Sequence, residues 1–513
     1  MRVNQLKAGT TLAYLQMALQ AIISLAYTPF LVEMLGQSEY GLYATVLSTV
    51  SMLSILNLGL GNGYIKYYST YKKNGDNESI YKLNGLFLTI FSVLGMVVLC
   101  VGLFFSFHLE LVFDSGFTAQ EYATAKILFI LLTINLTITF PMNTFSCIIT
   151  AHERFLFHKL AGMIRTVASP LLTLPLLFFG FKSIALVAVT ISLALVNDLF
   201  YVGYVFGKLH QKFIFSHFEK GLLKRLMTFT SFVAINLIVD QINSNFDKLL
   251  LGRYCGTAAV AVYSIGYTFY TYYSQFSVSV SSVFAPRVHR IVAETQDKPQ
   301  QQKERLTALF TKVGRIQFMV LALVASGLVL FGKAFIVDHW VGPEYITSYY
   351  VALIIIIPSS IALVQNVGIQ VQRALNLHQF RSIIYMVMAL INLVVSIILI
   401  KSVGPIGAPV GTAISLILAN GLIMNVFYHK RCSLDILRFW KSILTLARGL
   451  VVPLLFGVLI IKHIDLSSVF AFLGTALTYT VVYFVSMWIW GMNESERALF
   501  AKPANKIIKK FRG

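Results

Sequence analysis

The chain has 513 residues, of which 57% are hydrophobic and only 12% charged, with mean hydropathy +0.75. Soluble domains average about 25% charged residues, so composition excludes a soluble globular protein and predicts an all-α polytopic membrane protein. The formal charge of +20 does not point to nucleic acid, because no soluble basic domain interleaved with aromatics carries it; basic residues gather in the cytoplasmic loops of membrane proteins.

A bilayer core about 30 Å thick takes about 20 apolar residues per helix. Apolar windows of that length predict fourteen spans, near 11–32, 41–62, 84–107, 124–146, 161–180, 184–206, 229–250, 258–284, 313–335, 347–369, 382–401, 407–428, 443–461 and 467–490. The N-terminal segment MRVNQLKAGTTLAYLQ runs into the first of these without a small-residue cleavage site, and reads as a membrane helix rather than a removable signal. With the N-terminus in the cytoplasm, most of the 41 basic residues fall on the cytoplasmic side, including the 66–82, 208–225, 287–315 and 430–441 segments and the tail 497–512. The positive-inside rule favours this orientation, with both termini cytoplasmic. Four scattered cysteines form no metal spacing and no disulfide framework.

The chain carries an internal repeat. ISLALVN at 191–197 returns as ISLILAN at 414–420, and Gly36 and Tyr43 return as Gly256 and Tyr263. The offsets, 223 and 220, each cover six predicted helices, an even number, so the halves share one orientation. This predicts two parallel six-helix lobes, 1–210 and 211–430, with two further helices and a basic tail in 431–513.

Polar stripes mark where chemistry could lie. Asn236, Asp240, Asn243 and Asp247 recur at i, i+4, i+7 and i+11, on one face of the seventh span. An ionised Asp at mid-membrane costs about 2.5–3.5 kcal/mol on insertion scales, so such a residue faces a bundle interior or a wet cavity. Tyr263, Tyr267, Tyr270, Ser274, Ser277 and Ser281 share a face of the eighth span. The two stripes predict a hydrated central cleft. Carboxylate and amide oxygens at Asp240 suit Na+ or a proton, against the blander reading of a helix–helix hydrogen-bond network. The tyrosines and Ser274, with Asn236, Asn243, Asn366 and Gln370, suit sugar contact, against ordinary interfacial or core packing. Lys66, Arg165, Arg287, Arg290 and Arg373 lie near the inner ends of predicted spans and suit a diphosphate, although the positive-inside rule alone would also place them there.

The stretches PFLVEMLGQSEYGLYA (29–44), LNLGLGNGYIKYYS (56–69) and FDKLLLGRYCGTAAVAVYSIGY (246–267) resemble the O-antigen type of lipid-linked oligosaccharide flippases. These belong to the multidrug/oligosaccharidyl-lipid/polysaccharide superfamily, together with MATE exporters and the lipid II flippase. The resemblance extends along the whole chain; Asn57 stands where relatives often carry an acid. It implies transport of an undecaprenyl-diphosphate-linked oligosaccharide from the inner to the outer leaflet of the bacterial cytoplasmic membrane. Alternating access would drive it, with no cofactor beyond Na+ or H+ coupling, and with membrane lipids but no nucleic acid as partners. It further implies a monomer that works near a polysaccharide polymerase. It also extends the cation set from Asp240 to Asn392, Ser396 and Ser415. Two other readings stay open: a MATE-like exporter of small amphipathic cations, and an enzyme acting on lipid-linked sugars. Short external loops without paired carboxylates or a nucleotide-binding loop weigh against the enzyme.

Overall fold

The computed structural model describes residues 5–113, 117–215 and 220–498. Arg2 and the basic tail beyond residue 498 lie outside the described residues. Among these residues the regular secondary structure is all helix, without strands. The backbone explains why: apolar side chains can be given to lipid only if every N–H and C=O is satisfied within the segment, and helices do this.

The chain divides into two compact units: residues 1–264 with 389–408, and residues 265–388 with 409–513. The first holds α1 (Gln5–Met52), α2 (Leu60–Lys73), α3 (Asn77–Phe107), α4 (Ala119–Ala151), α5 (Phe155–Phe178), α6 (Lys182–Gly207) and α7 (Lys220–Cys255). The next helix, α8 (Thr257–Val283), passes from the first unit to the second. The second unit continues with α9 (Ala285–Glu294), α10 (Pro299–Ala334), α11 (Ile346–Val364) and α12 (Val367–Ala374). After them come α13 (His378–Val403), which from residue 389 onward belongs to the first unit, α14 (Gly407–Leu416), which returns to the second after residue 408, and then α15 (Met424–Lys430), α16 (Ile436–Ala447), α17 (Val451–His463) and α18 (Val469–Ser486).

Ten stretches among the described residues are long and apolar enough to cross a membrane. Two of them, Leu12–Lys73 and Gln379–Lys430, run for 62 and 52 residues, each enough for two crossings at 1.5 Å per residue. They contain the predicted first and second, and eleventh and twelfth, spans. The other eight stretches coincide with eight more predicted spans; the seventh and eighth correspond to α7 and α8, which are helical but fall outside the ten. The chain is a multi-pass membrane protein. Inside α1, Gly36 has φ 76° and ψ 165°, a conformation that glycine adopts without a Cβ penalty. It separates the two crossings where the sequence places a boundary.

In the first unit, α3 packs along α4, and α1 packs against α4, α5, α6 and α7. Its core joins the buried rings of Tyr64, Phe87, Phe91 and Phe140; Tyr64 meets Phe87 edge-on at 5.2 Å. The Tyr64 hydroxyl donates to Asn84 Oδ1 at 2.6 Å, and Asn84 Nδ2 donates to the Lys212 carbonyl at 3.0 Å. Two helix starts are fixed by caps: Asp76 Oδ1 accepts from the Ser79 N–H at 2.9 Å, and Thr118 and Glu121 form a reciprocal capping box. Each such cap contributes about 1 kcal/mol.

At the end of α4, the neutral His152 ring donates from Nδ1 to the Ile148 carbonyl at 2.8 Å and accepts at Nε2 from the Tyr68 hydroxyl at 3.0 Å. Burial, reinforced by Lys72 and Arg154, holds this imidazole below its ordinary pKa. Folding therefore favours the neutral form. The stability it contributes is complete above about pH 6.5, the unfolded value, and is lost as pH falls through the folded pKa. Thermal melting in detergent at pH 7.5 and 5.5 is expected to show an acid loss in wild type that shrinks in His152→Gln.

In the second unit, α10 is the axis. It packs against α11, α16, α17 and α18. The two helices that the repeat leaves over are thus fastened to α10: Tyr479 Oη donates to Ser326 Oγ at 2.6 Å, and Tyr483 Oη to the Met319 carbonyl at 2.5 Å. An ion pair completes the attachment. Arg315 Nη2 and Glu496 Oε2 are 2.7 Å apart, with side chains only 5% and 1% exposed. Beside α15, Cys432 is buried, and burial pushes its thiol pKa up to about 12. The thiolate is the reactive form, so Cys432 is expected to stay unalkylated by maleimide at pH 7.5 until the fold is denatured, as read by intact mass.

Candidate functional site

The α7 stripe does not meet one environment. Asn236 and Asp240 are exposed on the unit surface, Asn243 is half-buried, and Asp247 is buried. Asp247 Oδ2 accepts a hydrogen bond from Tyr263 Oη at 2.7 Å, and Tyr263 is itself 2% exposed. This first tyrosine of the α8 stripe therefore binds α8 to α7 within the first unit. Tyr267 and Tyr270 stand one turn on, half-buried, with ring centroids 5.3 Å apart. Ser274 is half-buried too and turns its hydroxyl back to the Thr271 carbonyl.

Further along α8 the stripe enters the core of the second unit. Ser277 Oγ donates to the Leu363 carbonyl at 2.7 Å and accepts from Gln317 Nε2 at 3.0 Å and Asn366 Nδ2 at 3.3 Å. This buried node lies where α11 gives way to α12. Asn366 belongs to it; Gln370, one turn on, is half-buried. Gln317 is fully buried in the middle of an apolar run and was passed over in the sequence reading. A glutamine in GRIQFMV was the available signal.

Just beyond the node, α9 and α12 pack on each other through the buried Val288, Ile291, Val367 and Val371. Arg287 and Arg290 on α9 and Arg373 on α12 are all exposed. Three of the five predicted phosphate-binding cations thus come from one pair of packed helices. Arg165 on α5 and Lys66 on α2 are exposed in the first unit, and Lys66 Nζ lies 5.9 Å from the Tyr67 ring centroid.

Of the predicted cation ligands, the structure joins Asn392 and Ser396. Both are buried on α13, and Ser396 Oγ donates to Asn392 Oδ1 at 3.1 Å. Ser415 is buried in the second unit, with a hydroxyl that has no hydrogen-bond partner among the described residues.

A second polar centre in the first unit gathers on Glu121. Its Oε1 accepts from Ser38 Oγ at 2.5 Å and from Thr257 Oγ1 at 2.7 Å, and the two hydroxyls are 2.9 Å apart. Gly41 sits so near α8 that a Cβ there would lie 1.8 Å from the Thr257 carbonyl oxygen. Only glycine permits that approach. Gly41→Leu is expected to separate the two segments, and exposed-thiol labelling of a Thr257→Cys reporter would rise several-fold.

The family model for polysaccharide biosynthesis proteins matches residues 6–292. No curated protein matches the sequence. Among solved structures, the lipid II flippase MurJ in an inward closed conformation aligns with TM-score 0.70 at 15% identity, over 93% of this chain and 97% of that one. A multidrug resistance MATE family transporter of the MOP superfamily, inward-facing, aligns with TM-score 0.63 at 16% identity, over 83% and 95%. A MOP superfamily transporter from Pyrococcus furiosus aligns with TM-score 0.55 at 14% identity, over 84% and 94%. At such identities the likeness is one of fold, and it is the fold of this superfamily. The family match spans more than half of the sequence, and on that ground the chain belongs to the polysaccharide biosynthesis protein family.

Proposed function

We infer that the chain moves an undecaprenyl-diphosphate-linked oligosaccharide from the inner to the outer leaflet of the bacterial cytoplasmic membrane, acting as a carrier rather than an enzyme. The observation that carries this reading is the grouping of Arg287, Arg290 and Arg373 on the packed helices α9 and α12, in a chain of this family and fold. A diphosphate needs cations where it enters, and arginine offers two parallel donors to phosphate oxygens. The basic segments around them favour a cytoplasmic position for that end by the positive-inside rule. Tyr267 and Tyr270 supply ring faces to sugar. Asp240, exposed on α7, supplies the carboxylate through which a Na+ or proton gradient would act.

The test is a strain that lacks this chain, with its polyprenyl lipids extracted and read by mass spectrometry. A completed diphosphate-linked oligosaccharide is expected to accumulate. The wild-type chain should clear it, and Arg287→Ala/Arg290→Ala/Arg373→Ala produced at normal levels should not. Unchanged lipids with surface glycan intact would instead favour a MATE-like exporter.

A further inference from the structure

The second crossing of the first unit is not a continuous helix. Within it, Leu53–Asn57 tighten to a 3-10 turn, and then Leu58 and Gly59 both take left-handed conformations, with φ 50° and 67°. Only at Leu60 does α2 begin. Left-handed geometry in a branched, bulky residue is a backbone outlier. It also falls inside the predicted span 41–62, where non-helical backbone is tolerated only if it is buried in protein or lines a cavity. Here there is a cavity. It measures about 390 Å³ and lies between this break, the end of α4 and the middle of α7. Its volume is within the range of about 300–1,000 Å³ that small-molecule pockets occupy.

The lining defines the ligand class. Ser54, Asn57, Asn62, Ser146, Thr150 and Gln241 face the cavity, and no charged residue lines it. Gln241 Nε2 donates to Ser54 Oγ at 3.0 Å, and Gln241 Oε1 accepts from Asn245 at 2.5 Å, so that glutamine is held in place. The side-chain amides of Asn57 and Asn62 engage in no hydrogen bond among the described residues. Each offers two donors and a carbonyl, a match for vicinal hydroxyls, which both donate and accept. Ile55, Ile65 and Leu237 give the apolar walls on which the C–H faces of a pyranose can lie. An anion would find no cation in this lining, and a cation no carboxylate. We propose that the cavity at the broken helix is a binding site for a neutral sugar residue of the carried glycan, gripped by the amides of Asn57 and Asn62. This rests on the flippase reading above and adds to it a subsite in the first unit, remote in sequence from the arginines.

The test uses the full-length protein in nanodiscs of phosphatidylethanolamine and phosphatidylglycerol, free of sugar detergents. Saturation-transfer NMR is recorded with galactose and N-acetylglucosamine as probes, and with galacturonate as the charged control. Wild type is expected to give signals from at least one neutral sugar, at least several-fold above galacturonate. Asn57→Leu/Asn62→Leu should lose them while Asn57→Gln retains part, with melting temperatures unchanged because neither amide holds the fold. The same leucine variant should leave lipid-linked oligosaccharide uncleared in the deletion strain. Sugar signals that persist in the leucine variant, or normal clearance by it, would overturn the subsite while leaving the flippase reading intact. No accumulation in the deletion strain itself would remove that reading instead.

Discussion

Glu496→Ala is expected to lower the stability of the second unit by about 3–5 kcal/mol, the usual result of removing one partner from a buried ion pair. Arg315 is enclosed: Nε lies 2.5 Å from Glu496 Oε1, Nη1 donates to the Ser442 carbonyl at 2.6 Å, and Nη2 to the Gly491 carbonyl at 3.0 Å. Without the carboxylate, a full positive charge would be left with neutral acceptors in a site almost closed to water. Folded proteins keep only about 5–15 kcal/mol in hand, so the loss should appear as a large fall in melting temperature and in monodisperse yield from detergent. The double variant Arg315→Met/Glu496→Leu should recover much of it, because no charge is then stranded. If Glu496→Ala melts with wild type, the pair does not fasten the last two helices to α10.

Ser38→Cys/Thr257→Cys should lock the protein. The two side-chain oxygens it replaces are 2.9 Å apart, which brings the pair close to the reach of a disulfide, whose Cβ atoms lie about 3.5–4.5 Å apart. A covalent bond there holds together the start of α8 and the segment around Gly36. In the proposed carrier, the transport cycle is expected to part these two segments of the first unit. Oxidation is therefore expected to reduce clearance of lipid-linked oligosaccharide to the level of the deletion strain, and a reductant should restore it. A quantitative crosslink with undiminished clearance would mean that this junction stays shut through the cycle.

Much of the fold was legible because membrane helices write themselves in local composition. Runs of apolar residues of bilayer length located the crossings, and the gap left between the first two windows, from 32 to 41, holds the bend at Gly36. The stripes were legible only as faces. Periodicity put Asp240 and Asp247 on one side of α7, but it could not say that Asp247 would be buried under Tyr263 while Asp240 stays exposed. That depends on where α8 packs. Long-range partners were out of reach for a related reason. Arg315 and Glu496 are 181 residues apart, and no local pattern pairs them; the sequence shows Arg315 only as one more basic residue on the cytoplasmic side. The glycine-rich LNLGLGNG was visible in the sequence, yet an apolar window absorbed it into a span, and only the backbone angles at Leu58 and Gly59 revealed the break.

The central claim is net movement of a lipid-linked glycan across a bilayer, and reconstitution measures it directly. The purified protein would be placed in liposomes with an undecaprenyl-diphosphate-linked oligosaccharide taken from the deletion strain, and the sugar probed from outside with a membrane-impermeant lectin. With wild type, the glycan that begins in the inner leaflet is expected to become accessible within minutes, while Arg287→Ala/Arg290→Ala/Arg373→Ala vesicles keep it protected. A protected fraction that is the same in wild-type and protein-free vesicles would contradict the account.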